Sequence, residues 1–352
     1  MPNIKYYATT ISGIERVSWQ EMQSKLDGAI LTEEQKGRIA FTYEGEPKEL
    51  LNIRTAENIY AHVGTVSELT RSRNSLGEIF RQVSNYNLDI PLRIHKDFHG
   101  GKGKKRLTFR VFSTMMGRHN FRRVDAQSAV ESAITKKYDW KLSHDSPTLV
   151  FQLDIDEDIA LIGLKLTDER IHRWKYKVSH VPASLNPSVA HCMILLSDPA
   201  PSDIFVDPMC GAGTIAIERA YANRYHLVIA GDVQESIIKS AKSNIESSRR
   251  KIDAIQWDVA FLPLQDHSVD KIVCNLPFGR QTGSQPENQK LYINFFKEIR
   301  RIMKSQGKCV LLTVERKLID DIVFNYRSIK INRRLNIDLS GLKAYIYVLH
   351  FL

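Results

Sequence analysis

The sequence predicts an α/β protein. Its C-terminal half is a parallel sheet wound on both faces by helices and closed by an antiparallel hairpin, with an α+β part ahead of it. Three observations predict this. From residue 181 onward, short apolar segments alternate with amphipathic ones, as strands and helices do in a doubly wound sheet. The tail, 326–339 and 343–352, is two β-rich segments around Ser340-Gly341, which reads as a hairpin. The chain has 352 residues, 43% hydrophobic and 26% charged, which suits about two globular domains.

The elements follow in order. Residues 4–9 and 37–43 alternate as strands, 13–24 has the spacing of a short amphipathic helix, and 47–53 starts another helix with Pro47 in its first turn. Residues 1–55 therefore form a small α+β unit. A second region, 56–168, holds a helix at 76–83, a strand at 107–113, a helix at 126–138, and strands at 149–155 and 159–166 joined by the acidic turn Asp156-Glu157-Asp158. A linker, 169–182, precedes the third region, 183–352. There the reading is helix 184–197, strand 204–207, helix 214–222, strand 227–232, helix 235–247, strand 254–258, strand 269–275, helix 289–304 and strand 308–314.

Composition excludes a collagen, a coiled-coil rod and a mostly disordered chain. No apolar run approaches the roughly 18 residues of a membrane span, and residues 1–10 hold no apolar core of signal-peptide length. The four cysteines (Cys192, Cys210, Cys274, Cys309) are widely spaced, which argues against a disulfide framework or zinc ribbon. No His/Cys/Asp cluster has metal-ligand spacing, so no metal is expected. A cytoplasmic monomer without a membrane partner is the expectation.

Charge points to a polyanion. Lys and Arg number 50 against 40 Asp and Glu. The stretch from Arg93 to Arg123 holds ten basic residues and one acid, Asp97. Such a patch is the footprint of nucleic acid binding. The expected RNA contacts are Lys102, Lys104, Lys105 and Arg106 from a glycine-rich loop, then Arg110, Arg118, His119, Arg122 and Arg123. Phe121 reads as core. The linker segment 170–177 is basic with interleaved aromatics and adds Arg173 to the track.

The third region carries the chemistry. A strand ends at Asp207 and runs into Pro208-Met209-Cys210-Gly211-Ala212-Gly213-Thr214, a glycine turn entering a helix. Glycines allow close backbone approach to a ligand, and a helix start offers free N–H groups. Asp232 ends the next strand 19 residues after Gly213, where a carboxylate can accept both ribose hydroxyls. Asp258 is read as ending the strand after that, placed to accept from an adenine amine. Helix capping is the plain alternative for each Asp. The turn alone does not exclude a dinucleotide, since Ala216 in the third glycine position is tolerated.

The fourth strand decides. It ends Cys274-Asn275-Leu276-Pro277-Phe278-Gly279. An Asn oxygen and a turn carbonyl can accept both hydrogens of an exocyclic amine, aiming its lone pair at a methyl donor, while Phe278 stacks on the base. Such a catalyst mainly orients two substrates. A pyrimidine C5 methylase needs a Cys nucleophile after the motif Pro, and Phe278 holds that slot. Cys274 reads as buried strand filler. Arg280, a further expected RNA contact, opens a polar loop with the composition of a lid over the target base.

These motifs resemble the class I, Rossmann-like S-adenosylmethionine-dependent methyltransferases of the amino-methylating group with an (Asn/Asp)-x-Pro-(Tyr/Phe) motif. Leu276 departs from the second Pro of many members. The resemblance implies S-adenosylmethionine held by Asp207, Met209, Cys210, Gly211, Gly213, Thr214, Asp232, Val233, Asp258, Val259 and Asn275, with Pro182 and Ser184 over its methionine part. It implies catalysis by Asn275, Pro277 and Phe278. Gly117-Arg118-His119-Asn120-Phe121 before a helix, and the closing Ile162-Gly163-Leu164, resemble a THUMP domain, an RNA-binding module. Residues 1–55 then match the ferredoxin-like unit that precedes it. The whole order is similar to the tRNA guanine-N2 methyltransferases that act at guanosine 6 of the acceptor stem, with the THUMP domain on the tRNA 3′ end. Guanosine 10, rRNA, an adenine or cytosine amine, and a non-catalytic RNA scaffold remain open at this point.

Overall fold

The computed structural model describes residues 4–99, 107–167, 174–182, 184–277 and 285–352. The chain divides into two compact units. The first comprises Met1–Thr9, Met22–Ile53 and Asn58–His172, and the second Thr10–Glu21, Arg54–Glu57 and Arg173–Leu352. Strands of the expected first and second regions share one sheet, and two short pieces of the first 57 residues group with the third region.

The first unit starts with β1 (Lys5–Thr9); α1 (Glu15–Lys25) follows and ends in it. Then come β2 (Ile30–Gln35), β3 (Arg38–Thr42), a 3-10 turn at Pro47–Asn52, β4 (Asn58–Val66), α2 (Asn74–Asn85), α3 (Asp89–His99), β5 (Thr108–Met116), α4 (Arg123–Tyr138), β6 (Lys141–Leu142), β7 (Leu149–Asp156) and β8 (Ile159–Lys165). Eight strands form one sheet in the order β2-β3-β1-β4-β8-β7-β5-β6. β7 alternates strictly, burying Leu149, Phe151, Leu153 and Ile155. The expected helix at 47–53 is only a six-residue 3-10 turn, extended at both ends.

The second unit holds α5 (Pro187–Leu196), β9 (Ile204–Asp207), α6 (Thr214–Ala222), β10 (Leu227–Asp232), α7 (Glu235–Ser248), β11 (Asp253–Gln256), β12 (Val269–Asn275), α8 (Gln285–Ile302), β13 (Met303–Thr313), α9 (Arg316–Phe324), β14 (Ile329–Leu339) and β15 (Leu342–Phe351). Its seven strands run β11-β10-β9-β12-β13-β15-β14, the last two antiparallel. The expected hairpin turns at Ser340 and Gly341, both with positive φ. Consecutive strand residues serve opposite faces. Phe205, Val228, Val273, Val310 and Ile346 pack with α5 and α6. Val206, Ile229, Ile272, Leu311 and Tyr347 pack with Tyr292, Phe295 and Phe296 of α8. Ile14 and Val17 join the former face. Gly13 lets that segment close up: a Cβ there would stand 2.0 Å from the Asn336 carbonyl oxygen.

One expectation changes the site. β11 ends at Gln256, so Asp258 lies in the turn beyond the strand rather than at its end. The strand is an exposed edge paired only to β10, and its short ladder stops before Trp257 turns inward.

Candidate active site

Strand order reverses between β9 and β12, which opens a crevice at the C-terminal ends of the parallel strands. Asp207 ends β9 and Asp232 ends β10. Ile272 is in register with Val206, so Asn275 stands two residues beyond the level of Asp207. These three residues end three strands on the two sides of that reversal.

The glycine turn is built as expected. Gly211 has φ 51° and Gly213 φ 78°, a left-handed backbone that favours glycine. A Cβ on Gly211 would meet nothing within 4 Å, so the turn borders open space. The Gly213 amide donates to the Cys210 carbonyl at 2.8 Å, and the Cys210 amide to the Gly231 carbonyl at 2.7 Å. Asp232 ties the turn to β10: Oδ2 accepts from the Gly211 amide at 3.1 Å, and Oδ1 from the Gln234 amide at 3.2 Å. Trp257 donates through Nε1 to the Pro208 carbonyl at 3.0 Å. Thr214 starts α6, and its hydroxyl lies 3.4 Å from that of Ser184.

Three buried oxygens at the strand ends stand out. Asp207 is fully buried; the Met209 amide lies close enough to lower its pKa in part, but neither carboxylate oxygen completes a hydrogen bond of good geometry among the described residues. Burial, then the negative charge of Asp232, push its carboxyl well above the usual range. Asn275 Oδ1 is likewise buried without a partner among the described residues. Burial, then Asp207 and Asp232, also raise the Cys210 thiol. No basic group figures among the causes of either shift. A cationic ligand with hydrogen-bond donors would satisfy what the protein leaves open.

The other expected positions divide. Met209 is half-buried, while Val233 and Pro182 are exposed. Val259 is buried. Asp258 Oδ1 accepts the Ala260 amide at 2.9 Å in a local turn, and no helix starts there, so it does not serve as the helix cap that was the plain alternative. Pro277 is half-buried in the turn after β12. Phe278 and Arg280 lie outside the described residues, as do Lys102, Lys104, Lys105, Arg106 and Arg173. Cys274 is buried in the core, and burial raises its thiol far above neutrality, which leaves it inert as a nucleophile.

Of the basic residues on the first unit, Arg110 lies over the half-exposed Phe112 ring at 4.3 Å and donates to the His144 carbonyl at 2.8 Å. Arg122 pairs with Asp125 at 2.9 Å at the start of α4. Arg123 donates to the Ser113 carbonyl at 2.7 Å. His119 is half-buried: its ring is 5.0 Å from Phe121, and Nε2 is 3.1 Å from the Met116 carbonyl oxygen. Phe121 is buried, as its core reading requires. Arg118 is exposed and makes no ion pair among the described residues. The cap, strand and ring partners of Arg122, Arg123 and His119 show only in three dimensions.

A second polar cluster had no sequence signal. His191 lies between two carboxylates, Nδ1 3.1 Å from Glu218 Oε2 and Nε2 3.3 Å from Glu21 Oε1. Glu218 also accepts from Arg54 Nε at 2.7 Å and from the Tyr176 hydroxyl at 2.7 Å. Glu21 accepts from the Thr55 hydroxyl at 2.6 Å.

Comparison with known proteins agrees with this layout. Residues 174–344 match the RMKL-like methyltransferase domain family, and residues 92–165 match the THUMP domain family. The chain is 34% identical over 264 residues to tRNA (guanine(6)-N(2))-methyltransferase THUMP3 of Homo sapiens, covering 69% of this chain and 51% of that protein. The chain thus spans about half the length of the first such relatives it matches. It is 25% identical to tRNA (guanine(6)-N2)-methyltransferase of Methanocaldococcus jannaschii over 98% of this chain and 99% of that one. Its fold matches the crystal structure of TrmN from Thermus thermophilus with a TM-score of 0.82, over 99% of this chain and 100% of that chain, at 23% identity.

Proposed function

Because the chain joins a THUMP domain to a methyltransferase domain of the RMKL-like family, we propose that it methylates the exocyclic N2 of guanosine 6 in the acceptor stem of tRNA, using S-adenosylmethionine. The observation that carries this reading is Asn275 Oδ1, buried and without a partner among the described residues, at the end of β12. The relatives' names supply guanosine 6. A tRNA substrate places the work in the cytoplasm, and one chain holds every part named here, so a monomer suffices.

The donor supplies an electrophilic methyl on a sulfonium. Its positive charge suits a pocket whose ionisable groups, Asp207 and Asp232, are acidic. Asp207 would hold the methionine end through donors that satisfy its free oxygens. Asp232 keeps lone pairs for ribose hydroxyls beside the two amides it already caps. Gly211 and Gly213 leave room for the backbone approach. Asp258 keeps one carboxylate oxygen, beyond the one that accepts the Ala260 amide, for an amine.

Guanine N2 is a poor nucleophile because its lone pair is delocalised into the ring. Asn275 Oδ1 and a turn carbonyl would each accept one N–H, which favours the pyramidal amine and aims its lone pair. Phe278 would stack on the base. The N–C bond forms as the S–C bond breaks, and the proton on the resulting ammonium leaves to solvent. Orientation supplies most of the acceleration. Asn275→Ala should therefore abolish turnover and leave tRNA affinity near wild type. Full activity in that variant would refute the assignment of the site.

A further inference from the structure

The turn that carries Asn275 is held from behind. Tyr292, fully buried on α8, has its hydroxyl 3.1 Å from the Pro277 carbonyl oxygen and 2.9 Å from Thr313 Oγ1. Thr313, also fully buried, ends β13, and its Oγ1 accepts the Glu315 amide at 2.9 Å. The proton order of this chain is fixed. A carbonyl only accepts, so the phenol proton points at Pro277. The phenol oxygen then accepts, so the Thr313 proton points at Tyr292, and a Thr313 lone pair takes the Glu315 amide. Burial pushes the phenol's pKa upward, so it stays protonated through neutral pH.

The strand side of the turn is fixed as well. The Leu276 amide donates to the Leu312 carbonyl at 3.0 Å, one residue before Thr313. A phenylalanine would fill the space beside Phe295, Phe296 and Ile299 equally well. The hydroxyl is the part that packing does not explain, and its two partners sit where β12 and β13 end at the crevice.

We infer that Tyr292 and Thr313 are positioning residues for methyl transfer: they hold the Pro277 carbonyl back, so that the Leu276 carbonyl joins Asn275 Oδ1 in accepting the target amine. The inference rests on the reading of Asn275 given above. Neither residue touches substrate. Losing the tether lets the acceptor carbonyl drift, and drift of that kind slows the chemical step without loosening either substrate.

The test uses full-length Tyr292→Phe, Thr313→Val and Thr313→Ser. Tyr292→Phe and Thr313→Val should each lower kcat by about 10- to 100-fold, with KM for tRNA and for S-adenosylmethionine within about twofold of wild type. Thr313→Ser keeps the hydroxyl and should restore kcat. The double variant should be no slower than the worse single, since both break one chain. A second readout needs no turnover. Pro277-Phe278 is the one Pro-Phe pair in the sequence, so carbonyl-13C proline with 15N phenylalanine gives one resonance for that peptide. Its carbonyl shift should move upfield in Tyr292→Phe as the hydrogen bond is lost. Wild-type kcat in Tyr292→Phe, or a loss confined to KM, overturns the positioning role and leaves the proposed reaction standing. A wild-type protein that methylates no guanosine overturns the reaction itself, and the positioning role with it.

Discussion

Asp207 carries a stability cost at neutral pH. An acid whose folded-state pKa lies above its unfolded value favours folding below the unfolded value, and that benefit is lost as pH rises through the folded value. The sequence marks Asp207 and Asn275 by position alone: each ends a strand next to a turn, and each proves to carry buried oxygen without a hydrogen-bond partner of good geometry among the described residues. A buried group without partners costs about 1–3 kcal/mol. Asp207→Asn should therefore raise the Tm of the ligand-free protein at neutral pH. It should also shrink the rise in Tm that S-adenosylmethionine produces, because the cationic end of the donor loses its counter-charge. A variant whose Tm rises fully with cofactor would show that Asp207 does not hold it.

At the scale of elements, what the sequence hid is as instructive as what it showed. The doubly wound order and the final hairpin were legible because their apolar segments are short, separate and regular. β4 was not, because a register shift between His62 and Gly64 breaks its alternation. α3 buries Pro91, Ile94, His95 and Phe98, a helical spacing disguised by a proline and a histidine at inward positions. Nor does any local pattern announce a contact such as Arg54 with Glu218, 164 residues apart.

That cluster joins Thr10–Glu21, Arg54–Glu57, α5 and α6 within the second unit, and it makes a pH prediction. Burial alone would lower the His191 pKa, but hydrogen bonds to Glu21 and Glu218 outweigh it and raise the pKa above 6.5. Burial would raise that of Glu218, but Arg54 and His191 pull it down to about 2. The His191 contribution is complete below 6.5 and lost as pH rises through the raised value. The Glu218 contribution is complete above 4.5 and lost as pH falls toward about 2. Urea midpoints should thus be highest between these limits and decline into the alkaline range. His191→Ala should remove the alkaline part of that slope. Glu218→Gln, which leaves Arg54 without its carboxylate, should destabilise by about 3–5 kcal/mol. A midpoint that rises steadily from pH 6 to pH 9 would contradict the account.

The whole molecule pairs a THUMP domain with a methyltransferase domain of the RMKL-like family. Its charge of +10 is the most general feature of the sequence and the least resolved by it. The structure sorts the basic residues by what else they do. Arg122 and Arg123 already serve α4 and β5, whereas Arg118 is exposed and free of ion pairs among the described residues. Arg118→Ala should weaken tRNA binding by roughly fivefold and reduce the slope of log affinity against log salt by about 1, with Tm unchanged. An unchanged salt slope would remove Arg118 from the RNA track.

The central claim joins cofactor, atom and nucleotide, and one measurement addresses all three. Unmodified tRNA transcripts are incubated with the full-length protein and methyl-labelled S-adenosylmethionine, then digested, and the labelled nucleoside is identified by mass spectrometry and mapped along the tRNA. The account predicts label as N2-methylguanosine at position 6 of the acceptor stem. Label on any other nucleoside or position, or none at all with cofactor bound, would contradict it.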